Sequence, residues 1–257
     1  MRALLLSLLL CPLLLTPSLS PEAQAGQPLW ETTSSKSSEY KAHLKAGDDF
    51  AGAAAIARSR ALRANRSDLL KSRNSEALAQ SLARKALDSY EAAAKADPEN
   101  ADPHYRAGEV LNAFMLDRPV SAPSSLDRAI EHWRQFEKKA PLDPRLLPVL
   151  DSRSISLTKR GGKKNLMAAV HDYDRQLEMI DQSSDARRVS IARLLSNRAE
   201  LYMMLGELRK SIEGYERALS FHVDTVYGYG LAVALDRDKQ GVRARNIART
   251  YAETDSS

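Results

Sequence analysis

One spacing of small, aromatic and proline residues recurs along this chain, and it constrains the fold more than any other feature. Alanine is followed four positions later by an aromatic residue, three positions after that by a second alanine, and then by proline. The copies, some of them incomplete, are Ala86-Tyr90-Ala93-Pro98, Ala129-Trp133-Phe136-Pro141, Ala169-Tyr173-Leu177 and Ser211-Tyr215-Ala218. Residues three or four apart share one face of a helix, and proline cannot continue a helix. Each copy therefore predicts a helix with a packed face, and Pro98 and Pro141 predict where two of these helices end.

A second helix with matching small residues precedes the clearest copies. Leu195, Ala199, Tyr202 and Gly206 precede Ser211, and Ala107, Gly108 and Leu111 precede Ala129. These helix pairs resemble the tetratricopeptide repeat (TPR), a degenerate unit of about 34 residues. The resemblance implies that small residues let paired helices approach, while an aromatic residue fills the gap between units. Because no unit can bury its apolar side alone, the predicted fold class is all-α, a right-handed α-solenoid of stacked helix–turn–helix repeats.

The repeat register divides residues 39–253 into about five to six units, strongest at 82–143 and 192–221. The predicted units are 39–65, 67–100, 101–143, 144–183, 188–223 and 226–253. We expect one turn at Gly47-Asp48-Asp49 and another at Arg160-Gly161-Gly162-Lys163. Residues 67–96 contain no strong helix breaker and could form one long helix. An insertion at 116–125, with two prolines, predicts a loop.

The N-terminal 25 residues have the pattern of a secretory signal peptide. Arg2 precedes an apolar run at 3–15, and Ala23-Gln24-Ala25 supplies small residues for cleavage. The alternative is an uncleaved membrane anchor, although the run is short for a membrane span. Cleavage would remove Cys11, the only cysteine, and leave residues 26–38 as a flexible polar linker. We therefore expect an exported protein that is periplasmic or secreted, or associated with the cell envelope, with no stable membrane anchor after cleavage.

The TPR resemblance also implies a groove, lined by the first helix of each unit, that binds an extended peptide or a helix of a partner. The candidate partner-binding residues at groove positions are Asp102, Tyr105, Glu109 and Asn112 in the third unit and Arg193, Ser196, Asn197, Glu200 and Met203 in the fifth. Asn, Tyr and Arg side chains can hydrogen-bond a peptide backbone, and Met adapts to varied shapes. Polar residues at these positions are equally compatible with a plain solvated helix surface.

The sequence contains no pattern typical of a catalytic, cofactor or metal site. None of the five histidines is three or four residues from another, and the zinc-binding His-Glu-x-x-His motif is absent. Gly228-Tyr229-Gly230 lacks the third glycine and the preceding strand of a dinucleotide loop. The sequence also has no nucleic-acid-binding module. It therefore predicts a non-catalytic protein without cofactor or metal, whose partner is a protein or peptide; a homo-oligomer is also possible.

Three clusters of basic residues leave alternatives to protein binding open. They are Arg58, Arg60, Arg63 and Arg66; Lys159, Arg160, Lys163 and Lys164; and Arg243, Arg245 and Arg249. Such runs are usually solvated surface, but they could also bind acidic polymers. The leading hypothesis is a protein–protein interaction scaffold of the cell envelope. The alternatives are an adaptor for acidic envelope polymers, which would bind through the basic turns, and a helical enzyme.

Overall fold

The computed structural model describes residues 38–64, 68–115, 123–180 and 185–254. Within these ranges the protein consists of helices and contains no β-strand. Ten α-helices are described: α1 Ser38–Arg63, α2 Leu69–Ala96, α3 Asp102–Val110, α4 Pro123–Lys139, α5 Leu146–Arg160, α6 Lys163–Met179, α7 Arg188–Met204, α8 Leu208–Phe221, α9 Thr225–Arg237 and α10 Gly241–Thr254. A π-helical turn, Leu111–Met115, continues α3. The predicted signal peptide, nearly all of the linker and most of the 116–125 insertion lie outside the described residues.

The helices stack in the order in which they follow one another along the chain. Each helix packs mainly against the helix before it and the helix after it, so that the described residues form five consecutive pairs, α1/α2 to α9/α10. Such serial packing, without long-range closure between distant helices, is the arrangement expected for a repeat solenoid. The predicted all-α solenoid is therefore confirmed. No helix within the described ranges is long and apolar enough to cross a bilayer.

Proline and glycine set the helix boundaries where the sequence predicted them. Helix α2 ends at Ala96, before Pro98, and α4 ends at Lys139, before Pro141. Gly161 and Gly162 connect α5 to α6 with φ angles of 69° and 81°, which residues other than glycine rarely adopt. The turn predicted at residues 160–163 is confirmed.

The turn predicted at Gly47-Asp48-Asp49 is wrong, because α1 runs through it without a break. Gly47 serves close packing instead: a Cβ atom there would lie 2.5 Å from Cδ1 of Tyr90 on α2. Helix α2 is likewise continuous over 28 residues. The first two predicted units are therefore one long hairpin, α1/α2.

Aromatic side chains pack against glycines of neighbouring helices, as the repeat register implied. The Trp133 ring covers Gly108 of α3 and also joins an apolar cluster with Leu146 and Leu150 of α5, the first helix of the next pair. Tyr215 on α8 packs in the same way against Gly230 of α9, where a Cβ would lie 2.5 Å from the ring. These rings fill the gaps between successive pairs, which fixes how the first helices are spaced.

A candidate protein-binding face

Four first helices, α3, α5, α7 and α9, carry a small buried residue at the same place in the repeat. These residues are Gly108, Ser154, Ala199 and Ala232. The residues six and three positions before each of these small residues, and one position after it, occupy equivalent places on the four helices. We call these positions the first-helix face: Asp102, Tyr105 and Glu109; Pro148, Asp151 and Ile155; Arg193, Ser196 and Glu200; Val226, Tyr229 and Val233.

Ion pairs join neighbouring first helices along this face. Arg145, just before α5, donates through Nη1 to Oδ1 of Asp102 at 2.8 Å. One pair further on, Nη1 of Arg193 on α7 lies 3.2 Å from Oδ1 of Asp151 on α5. Arg145 also donates to both carboxylate oxygens of Asp143, so it is shared between two carboxylates. These ion pairs tie successive repeats together. Asp102 and Arg193, which the sequence predicted as partner contacts, are thus engaged within the protein.

Tyr105 belongs to the same cluster as Arg145. The guanidinium carbon of Arg145 lies 4.8 Å from the centroid of the Tyr105 ring, and the Tyr105 and Phe136 rings lie 5.5 Å apart. Burial raises the pKa of the Tyr105 phenol, which keeps it neutral as a hydrogen-bonding group. Tyr105 is half-buried, so part of its side chain remains accessible on the face while Arg145 and Phe136 hold its ring in position.

Glu109 is the carboxylate on α3 that keeps an exposed position. No ion pair joins it to another residue of the described ranges. Asn112, one turn further on, is half-buried in the π-helical turn. Together they leave α3 with one acceptor and one amide that a partner can contact.

The predicted residues on α7 divide into two groups. Glu200 is exposed and accepts a hydrogen bond of 2.6 Å from the Tyr215 hydroxyl, and Asn197 is half-buried. Ser196 is buried, and Met203 is 7% exposed in a cluster with Ile212 and Tyr215, so neither is available to a partner. The prediction for Met203 is wrong because it lies one turn after Ala199, on the stripe that packs against α8.

Sequence reasoning missed the apolar part of the face. Ile155 on α5 and Val226 and Tyr229 on α9 are exposed. In α5 the small residue that marks the repeat register is the fully buried Ser154, which stands at the same repeat position as Gly108 and Ala199. Because a serine stands where the repeat usually has glycine or alanine, the register of α5 was not recognised.

A histidine pair lies outside this face, between α3 and α4. His104 Nδ1 and His132 Nδ1 are 3.1 Å apart, and His132 Nε2 lies 3.4 Å from Oε1 of Glu91. Burial lowers the pKa of His104 to about 4 and also lowers that of His132, so one neutral ring donates to the other near pH 7. The described part of the chain contains no group of three His, Cys, Asp or Glu residues that could hold a metal ion.

The basic turn between α5 and α6 is only partly free. Nε of Arg160 donates to Oδ1 of Asp127 at 2.8 Å, whereas Lys163 and Lys164 are exposed. Binding of an acidic polymer at this turn stays a prediction that depends on these two lysines.

Comparisons with known proteins identify the fold. No model of a known protein family matches the sequence, and no curated protein matches it significantly. Among solved structures, a crystal structure of MamA has a TM-score of 0.52 at 17% identity and covers 69% of this chain and 91% of that chain. MamA 41-end from Desulfovibrio magneticus RS-1 has a TM-score of 0.51 at 16% identity, covering 79% of this chain and 95% of that chain. BtubC from P. vanneervenii has a TM-score of 0.53 at 13% identity, covering 84% and 91%.

Together with the serial helix pairs, these similarities define the class of protein. The chain is an α-solenoid built from helical repeats. Its repeat is of the tetratricopeptide kind, so the TPR fold predicted from the sequence is confirmed.

Proposed function

We propose that this protein is a non-catalytic scaffold that binds an extended segment or a helix of a partner protein across the first-helix face. The observation that carries this proposal is that exposed apolar side chains share one register with carboxylates that are already ion-paired within the protein. Asp102 and Asp151 are already paired with arginines, while Ile155, Val226 and Tyr229 remain exposed. The centres of protein interfaces are depleted in free charge and enriched in tyrosine and apolar groups, which fits this pattern.

The polar residues of the face would set the register of the partner. Glu109 can accept hydrogen bonds from a partner backbone or side chain, and the amides of Asn112 and Asn197 can donate and accept. The apolar side chains on α5 and α9 would supply the contact area. The N-terminal sequence supports a scaffold of the cell envelope, since the pattern of residues 1–25 is that of a secretory signal.

Affinity capture of the tagged protein from its own host tests this proposal. The variant Ile155→Asp/Tyr229→Asp places charge on two exposed positions of the face, so the fold should be unaffected. We expect the captured partner to fall at least tenfold, because an unpaired carboxylate in an apolar contact is costly to bury. The matched control is Val242→Asp, which changes an exposed residue of α10 outside the face. Equal recovery by both variants would rule out the first-helix face as the binding site.

A further inference from the structure

The α1/α2 hairpin carries three strongly exposed leucines at the end where its helices are connected. Leu62 lies in the last turn of α1 and is 79% exposed; Leu69 and Leu70 begin α2 and are 62% and 74% exposed. We call these three residues the leucine tip. Large apolar side chains grouped at one exposed end are a common mark of an interaction site.

The leucine tip contributes little to the core of the hairpin. None of the ten residues Leu69 to Leu78 at the start of α2 is buried, and the buried stripe of that helix begins at Ala79. The two helices approach each other through alanines such as Ala57 and Ala61, and Oγ of Ser72 donates to the carbonyl oxygen of Ala61 at 3.0 Å. Folding of the hairpin therefore does not explain why leucines occupy these positions.

Basic residues outnumber acidic ones in the part of the sequence that contains the tip. Residues 56–78 contain six basic and two acidic residues, a net charge of +4, whereas the whole chain has +5. The basic residues are Arg58, Arg60, Arg63, Arg66, Lys71 and Arg73, and the acidic residues are Asp68 and Glu76. Arg58 donates to the carbonyl oxygen of Ala113, and Lys71 is ion-paired with Asp68. The exposed positive charges that carry the argument are Arg60, Arg63 and Arg73. A partner of this segment must therefore accept apolar side chains and carry negative charge.

We propose that the leucine tip binds the surface of a membrane that contains anionic lipids. Leucine side chains would enter the boundary between headgroups and acyl chains, and the surrounding arginines would contact lipid phosphates. Long basic side chains can keep their charge in the headgroup layer while their stems cover apolar surface. The tip lies at one end of the packed α1/α2 pair rather than in a groove between helices, and such an end can enter the headgroup layer of a membrane. This contact is separate from the first-helix face, so a partner and a membrane could be bound together.

An environment-sensitive fluorophore at the tip tests the proposal in the full chain. Cys11 is the only cysteine, so a Cys11→Ser background allows NBD to be attached at Leu70→Cys alone. The matched control is Leu142→Cys, at a 94% exposed leucine in the turn between α4 and α5. Because the readout is specific to one position, membrane attachment through the apolar residues 3–15 cannot imitate it.

With phosphatidylcholine vesicles containing phosphatidylglycerol, we expect NBD emission at position 70 to shift to the blue and to rise several-fold. Position 142 should not change. The shift should be absent with phosphatidylcholine alone and in the variant Arg60→Gln/Arg63→Gln/Arg73→Gln, and it should weaken at high salt. Circular dichroism checks that this variant folds, as expected for exposed positions.

Three results would overturn the proposal. One is an unchanged spectrum at position 70 with the anionic vesicles, and another is an equal shift at positions 70 and 142. The third is shielding of position 70 by a soluble host extract but not by vesicles, which would assign the tip to a protein partner.

Discussion

At the scale of single residues, the repeat brings together side chains that are far apart in sequence. His104 and His132 are separated by 28 residues, yet their Nδ1 atoms lie 3.1 Å apart because α3 and α4 are antiparallel. A search for histidines at helical spacing cannot find such a pair. The prediction for Met203 was wrong for the opposite reason. Its repeat position was recognised, but whether its side chain faces the groove or α8 depends on the rotation of α7 about its axis, which only packing determines. Single-sequence reasoning therefore found residue types better than it found their orientations.

The histidine pair predicts how stability depends on pH. The pKa of His104 in the folded protein is about 4, below the value of about 6.5 in an unfolded chain. Between these values the unfolded chain binds more protons, so stability contributed by this residue is lost as the pH falls from about 6.5 to about 4. Glu91, Glu131, Arg128 and Lys139 also act on the pair, and its burial outweighs the two carboxylates.

The comparison between wild type and His104→Asn isolates this effect. Asn can place an amide near the position of Nδ1 but does not titrate. We expect wild type to lose on the order of 1 kcal/mol more unfolding free energy than the variant between pH 7 and pH 5. Urea unfolding at several pH values measures it. Parallel pH profiles for the two proteins would show that His104 is not the responsible group.

At the scale of helices, the sequence predicted the boundaries that depend on local chemistry. Pro98 and Pro141 follow the ends of α2 and α4, and the two glycines at residues 161–162 form the turn after α5. Gly47 was assigned to a turn because glycine next to two aspartates is locally ambiguous. Its real role depends on Tyr90, more than 40 residues away, and no local rule includes that contact. Ser154 hid the register of α5 for a similar reason, since its burial is a tertiary property.

A glycine-to-alanine substitution should have opposite effects at a packed and at an exposed helix position. A Cβ at Gly108 would lie 2.6 Å from Cε3 of the fully buried Trp133, which cannot move without disturbing α5. Gly108→Ala should therefore lower the free energy of unfolding by about 2 to 3 kcal/mol through overpacking. Gly52 on α1 has no atom within 4 Å of such a Cβ, so Gly52→Ala should raise it by about 0.5 to 1 kcal/mol. Denaturant midpoints measure both. Equal shifts in the two variants would contradict this account of the α3/α4 contact.

At the scale of the whole molecule, serial packing separates functions that a closed globule would couple. The first-helix face is formed by α3, α5, α7 and α9, and the leucine tip belongs to α1 and α2. Each helix pair depends mainly on its neighbours, so changes at the tip should leave the face intact. The sequence could indicate this modularity through the recurring spacing. It could not indicate the leucine tip, since exposure of Leu62, Leu69 and Leu70 follows from the length of the hairpin rather than from any repeat position.

Removal of the last helix pair tests the serial architecture directly. A chain ending at His222 lacks α9 and α10 and exposes Tyr215 and Ile212, which pack in one cluster with Leu231 and Leu235. Because stability in a repeat array is approximately a sum of local terms, we expect α1 to α8 to remain folded with a lower unfolding midpoint and weak self-association. Circular dichroism should show helix loss in proportion to the deleted residues, and hydrogen exchange should show protection retained in α3 to α6.

Full-length Leu235→Ala is the control: it creates a cavity at a fully buried position and should weaken the last pair while the first pairs keep their protection. Collapse of the truncated chain to an unfolded state would mean that the pairs depend on closure of the whole molecule rather than on their neighbours.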